Sequence, residues 1–141
     1  MYFYITIIIT VIIDLITKLV ALNYLQDKIK IIWEYLFLQY YENTGIAFSI
    51  NIPFIKVLTI ILIIWIFYYY FKEEKSKNSK LIDLSFWLIL WWAIWNWIER
   101  VFNWKVIDFI GIKYFSIFNM ADIFISLWAI ILLISILKDN K

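Results

Sequence analysis

The sequence predicts an all-α membrane protein: four transmembrane helices with a small extracytoplasmic β segment between helices 1 and 2. Three observations predict it. Of the 141 residues, 65% are apolar and only 17% charged, far from the balance of a water-soluble domain. Four apolar runs, at about 3–22, 54–71, 82–98 and 115–137, have the roughly 17–25 residues that cross a bilayer. The charged residues fall between these runs or at their ends. A chain of this length suits a single membrane domain over 1–141.

The first span, YITIIITVIIDLITKLVAL, carries Asp14 and Lys18. It is too long for the apolar part of a cleaved leader and lacks a small-x-small cleavage site, so it is expected to stay. Next comes IKIIWEYLFLQYYENTGIAFSI, rich in β-branched and aromatic residues, with a turn signal at Asn43-Thr44-Gly45. That pattern predicts a hairpin or small sheet on the membrane surface. The second span ends at Tyr68, Tyr69 and Tyr70, an interface anchor, and KEEKSKNSK follows with Lys72, Lys75, Lys77 and Lys80. The third span runs into a polar stretch, 99–114. The fourth leads to a tail with Lys138 and Lys141.

The lysine-rich loop and tail belong in the cytoplasm by the positive-inside rule. Both termini are then cytoplasmic, and 23–53 and 99–114 lie outside. The outer segments hold Lys28, Lys30, Arg100, Lys105 and Lys113, so the bias is modest.

There are no cysteines and no histidines. This removes disulfides, thiol nucleophiles, thiolate metal sites and the commonest general base and metal ligand. No metal and no cofactor are expected. The lysines form no basic stripe, so no nucleic-acid partner is expected either. The simplest assembly is a monomer in contact with membrane lipids.

Ionisable groups within or at the edge of a span are expensive and need a reason. Asp14 and Lys18 share one face of the first helix and can pair. Asn96, Glu99 and Arg100 end the third span, Asp108 follows in VIDFI, and Asp122 lies in the first turns of the fourth. All fall at one depth, near the outer face. Two aspartates held close cannot both ionise easily. One keeps its proton as an acid while the other activates water as a base. Asp108 and Asp122 are the best-placed pair; the alternative is two interfacial carboxylates facing water. A transporter would instead carry charges near the midplane and matching halves.

Five blocks then stand in order: DLITK, ENTGIAFS, NWIERV, VIDFI and FNMADIFIS. With them the chain resembles the lipoprotein signal peptidase (signal peptidase II) family over essentially its whole length. The resemblance implies a membrane aspartyl endopeptidase. Such an enzyme removes the signal peptide from lipid-modified bacterial prolipoprotein precursors, before the diacylglyceryl-modified cysteine, at the inner membrane. It implies Asp108 and Asp122 as the catalytic pair. Asn43, Gly45, Asn96, Arg100, Asn119 and Ala121 would surround the site, and Asp14 and Lys18 would support it. The outer β segment would cradle the substrate, and globomycin-type inhibitors would fill the same groove. Glu99 stands where the family has aspartate, and Ile46 where it favours a small residue.

The larger departure is glycine. The resembling motif begins G-G-A-x-G-N where this chain has Trp91, Trp92, Ala93, Ile94, Trp95 and Asn96. Trp33, Trp104 and Trp128 also stand at family glycine positions. The chain holds 9 tryptophans and 2 glycines, whereas glycine averages about 7% of residues. One reading is that UGA codons meaning glycine have been written as tryptophan. Another is an aromatic belt at the membrane interface, which accounts for Trp97 and Trp104 but poorly for Trp65, Trp87 and Trp128. A third is an inactive, non-catalytic relative with a filled groove.

Overall fold

A computed structural model describes residues 2–45, 54–74 and 79–139. Its elements are α1 (Tyr2–Tyr24), β1 (Ile29–Ile32), β2 (Leu36–Asn43), α2 (Ile55–Tyr69) continued by a π-helical segment (Tyr70–Glu74), α3 (Lys80–Phe102), β3 (Val106–Ile112), β4 (Ile117–Phe118) and α4 (Met120–Asp139). Helices α1, α3 and α4 are each long and apolar enough to cross a membrane. The protein is mostly helical with one small antiparallel sheet.

In water the isoleucine runs of α1 would be mediocre helix formers. In hydrocarbon every backbone amide must bond within its own segment, and that requirement overrides propensity. Ile5, Ile8, Ile9, Ile12, Ile16 and Leu19 are accordingly exposed along α1, as lipid-facing residues are. Helix α3 is the most buried of the three long helices. It starts at Ser79, whose side chain accepts from the Ile82 amide, and the buried Tyr70 donates to Asp83 Oδ1 at 2.7 Å.

The four strands pair in the order β1-β2-β3-β4, all antiparallel. Half of this sheet comes from the segment between α3 and α4, so the expectation of a sheet built only between the first two helices is corrected. The hairpin turn lies at 33–35, where the Tyr35 amide bonds Ile32 O at 3.0 Å, not at Asn43-Thr44-Gly45. Residues 117–118 belong to β4, so the last helix starts at Met120 rather than 115, and the third runs on to Phe102. Ile46 and the AFS that follows it lie outside the described residues, as do Lys75, Lys77 and Lys141.

The sheet is fixed onto the end of α1. The register of β2 and β3 shifts between Leu38 and Tyr41. There the Tyr40 amide leaves the ladder and bonds Leu25 O at 2.7 Å, just past the end of α1. Ala21, Leu25 and Phe109 form a buried apolar cluster with Leu38, Tyr40 and Met120 packed against it. At Gly111 the ring of Phe37 lies where a Cβ would stand, so the glycine makes room for that ring where β2 and β3 pair.

Candidate active site

Strand β3 places Asp108 on the face opposite Phe109, because successive strand residues alternate. The buried carboxylate is held from both sides. Asn43 Nδ2, on the paired strand β2, donates to Oδ2 at 2.8 Å, and Asn119 Nδ2 donates to Oδ1 at 2.7 Å. Asn43 is itself held by an Asx turn, in which the Gly45 amide bonds its Oδ1 at 2.9 Å. The expected turn signal is thus real, but it locks a site residue instead of reversing a hairpin.

Asp122 comes from the first turn of α4. Asn119 and Asp122 form a reciprocal cap. The Asp122 amide donates to Asn119 Oδ1 at 3.0 Å, and the Asn119 amide to Asp122 Oδ2 at 3.3 Å. One asparagine side chain therefore ties α4 to the carboxylate of β3. From α3, Asn96 Nδ2 donates to Asp122 Oδ1 at 3.0 Å. Arg100 Nε donates to Gly45 O at 2.9 Å and its Nη1 to Asn96 O at 3.2 Å. The guanidinium thus pins the end of β2 to α3 beside the two carboxylates.

Behind this lies a buried ionic group. Lys18 Nζ is 2.7 Å from Asp14 Oδ2 and 2.6 Å from Glu99 Oε2. Asp14 Oδ1 accepts the Ala121 amide at 3.1 Å, a contact that sets the N-terminus of α4 against α1. Helix N-termini favour negative charge, so Asp14 and Asp122 both suit this position.

Every residue expected at the site lies in this one network: Asp14, Lys18, Asn43, Gly45, Asn96, Glu99, Arg100, Asp108, Asn119, Ala121 and Asp122. A cleft of about 200 Å³ opens beside them, lined by Asn43, Arg100, Ile117, Asp122, Ile125 and Ser126. Burial pushes the Asp108 carboxyl up to about 7, helped by the nearby Asp122 charge and opposed by the Asn43 and Asn119 hydrogen bonds and by Arg100. A carboxyl near neutrality can hold a proton or give it up, as acid–base work requires.

Two features near the site stand outside the residues expected from the sequence. Ser126 lines the cleft one turn beyond Asp122, a place that i, i+4 spacing would have found. On the exposed side of the sheet, Lys105 Nζ contacts Glu42 Oε1 at 2.6 Å, which with the Tyr40 hydroxyl holds Glu42 below the usual carboxylate range. No local signal announces a contact between residues so far apart in the chain.

A membrane-helix scaffold that brings a buried Asp108 and a half-buried Asp122 to the junction of sheet and helices has the make-up of a membrane enzyme of the carboxylate type. A family model described as "Signal peptidase (SPase) II" matches residues 6–138. Proteins called lipoprotein signal peptidase are similar along the whole chain. One from Listeria monocytogenes serotype 4a is 32% identical, over 100% of this chain and 96% of its own length. One from Caldicellulosiruptor bescii is 36% identical, over 99% and 93%. A solved bacterial membrane enzyme superposes with a TM-score of 0.78 at 27% identity, over 99% of this chain and 90% of that one. The chain belongs to the signal peptidase II family. It is a hydrolase, an aspartic endopeptidase, and a multi-pass membrane protein.

Proposed function

We propose that this protein removes the signal peptide from bacterial prolipoproteins, cutting before the diacylglyceryl-modified cysteine, with Asp108 and Asp122 as its catalytic pair. The observation that carries this reading is the Asn119 bridge: one side chain donates to Asp108 and caps the helix turn that presents Asp122. The pair shares one proton. The ionised aspartate takes a proton from water, and the resulting hydroxide attacks the scissile carbonyl. The protonated aspartate gives its proton to the carbonyl oxygen. Collapse of the tetrahedral intermediate then returns a proton to the leaving amine nitrogen. Asn43, Gly45, Asn96, Arg100, Asn119 and Ala121 hold the pair and the substrate backbone, while Asp14, Lys18 and Glu99 brace α1, α3 and α4 behind them.

The whole chain, 1–141, acts as one domain and as a monomer in the cytoplasmic membrane. It makes four crossings, with both termini inside and the site near the outer face. What supports four crossings is connectivity. The C-terminal ends of α1 and α3 and the N-terminal end of α4 all meet the sheet. The chain leaves the sheet after Asn43, and α3 begins at its far end, at Lys80. A segment between them must make the return, and α2 with its π-helical extension, Ile55 to Glu74, reaches about 30 Å at 1.5 Å per residue.

The test is cleavage of a lipid-modified precursor by the purified enzyme in detergent or liposomes. Asp108→Asn and Asp122→Asn should each lower the rate by at least about 1,000-fold, the scale of lost acid–base catalysis, while the proteins still insert. Undiminished cleavage by either variant would remove the dyad assignment.

A further inference from the structure

We propose that the nine tryptophans of this chain are glycines in the cell, specified by UGA codons that its ribosomes read as glycine. Three structural observations, independent of composition, point there.

Trp104 has φ 61° and directly follows Asn103, the C-cap of α3. That is the C′ position, where a helix most often ends in the left-handed region and where glycine is strongly preferred. The ring is left 74% exposed, so no packing compels the conformation. Trp33 has φ 46° and is 83% exposed. It stands in the short turn between β1 and β2, beside the register shift at Lys30 and Ile32, where hairpins of this kind place a left-handed glycine. Among the described residues, two of the four non-glycine residues with positive φ are tryptophan, and no glycine has positive φ. The turns that call for glycine are thus occupied by the most cumbersome side chain.

Trp92 is wholly buried between α3 and α4, 5.2 Å from the Phe124 ring centroid. Among the described residues its indole Nε1 has no hydrogen-bond partner, and neither has Asn96 Oδ1 one turn further along the same face. A buried donor without an acceptor is uncommon in native interiors. Glycine at 92 removes that donor, and small residues let membrane helices approach closely. Some of the tryptophans do find partners. Trp95 Nε1 reaches Asp14 Oδ2 at 3.2 Å, an oxygen already held by Lys18; Trp97 Nε1 reaches Lys56 O at 2.8 Å; and Lys56 Nζ lies 3.6 Å from the Trp104 ring centroid. None of these contacts relieves the backbone at 33 and 104 or the orphan donor at 92.

The deciding measurement is peptide mass spectrometry of the chain purified from its source cells, read with the codons of its gene. Glycine at positions 33, 92 and 104, opposite UGA codons, is the expected result; tryptophan at these positions overturns the proposal. A second measurement separates it from the peptidase reading, on which it does not depend. The chain as written and a chain with all nine changed, Trp92→Gly among them, are each made from synthetic genes in a standard-code host and assayed on a lipid-modified precursor. The nine-glycine chain should have kcat/KM about 100-fold higher, as expected when reacting groups are no longer displaced by about 1 Å. Glycine in the peptides with no cleavage by the nine-glycine chain supports the recoding and removes the peptidase function. Tryptophan in the peptides with cleavage by the chain as written does the reverse.

Discussion

Asn119 uses each end of its amide for a different element, Nδ2 toward Asp108 and Oδ1 toward the Asp122 amide. Asn119→Ala loses a helix cap, at about 1 kcal/mol of stability, and also removes one of the two side-chain donors that hold the Asp108 carboxylate and the tie between it and the turn that presents Asp122. Melting should shift by a few degrees at most, while kcat falls by roughly 100-fold, the cost of about 1 Å of misplacement. A loss of activity no larger than the loss of folded protein would make Asn119 only a cap. Asp108 gives the pH dependence. Its carboxyl is raised from 3.8 to about 7 by burial and by Asp122, so between those values the folded chain binds more protons than the unfolded one. Its contribution to stability is therefore full below about 3.8 and declines as pH rises to about 7. Melting of Asp108→Asn should show a flatter slope over that window than the unaltered protein. The cleavage rate should form a bell whose alkaline side falls through about 7, as the pair loses its shared proton. Parallel melting slopes, or a rate that stays flat above that value, would contradict the assignment. Both aspartates were legible in the sequence because each stood in an apolar context that gave it no cheap reason to be there.

Between elements, Asp14, Lys18 and Glu99 join α1 to α3, and the Ala121 amide adds α4. The i, i+4 pairing of Asp14 with Lys18 was readable from spacing. The Glu99 partnership was not, because it depends on how two helices lie side by side. Lys18→Met leaves the buried Asp14 and the half-buried Glu99 facing each other without their shared cation and should cost about 3 kcal/mol, read as a fall in melting temperature in detergent. Adding Glu99→Gln should recover part of that loss; no recovery would mean that the lysine acts through packing alone. The sheet shows the same limit of local reading. Strand β2, long and aromatic, was foreseen, whereas the two-residue β4 exists only because β3 lies beside it. The Asn43-Thr44-Gly45 signal is legible but ambiguous, since an Asx turn and a hairpin turn share the same residues.

At the scale of the molecule, the sheet gathers one end of α1, α3 and α4 at a common level, which is why residues from five segments of the chain meet at a single site. Hydropathy could place the long helices because the bilayer sets their length, but α2, at 15 residues, is short for a crossing by itself. The number of crossings decides where the ends lie. Four put both termini on one side, and three would put them on opposite sides. The chain contains no cysteine, so single cysteines can report the answer without background. Ile31→Cys lies on an exposed position of β1, Ser76→Cys in the lysine-rich loop and Asn140→Cys in the tail. In intact cells stripped of wall, a membrane-impermeant maleimide should label the first and spare the other two until the membrane is opened. Labelling of Asn140→Cys before opening would mean an odd number of crossings. Labelling of Ser76→Cys would mean that α2 does not span, and the return path that brings α3 back to the sheet would need another explanation.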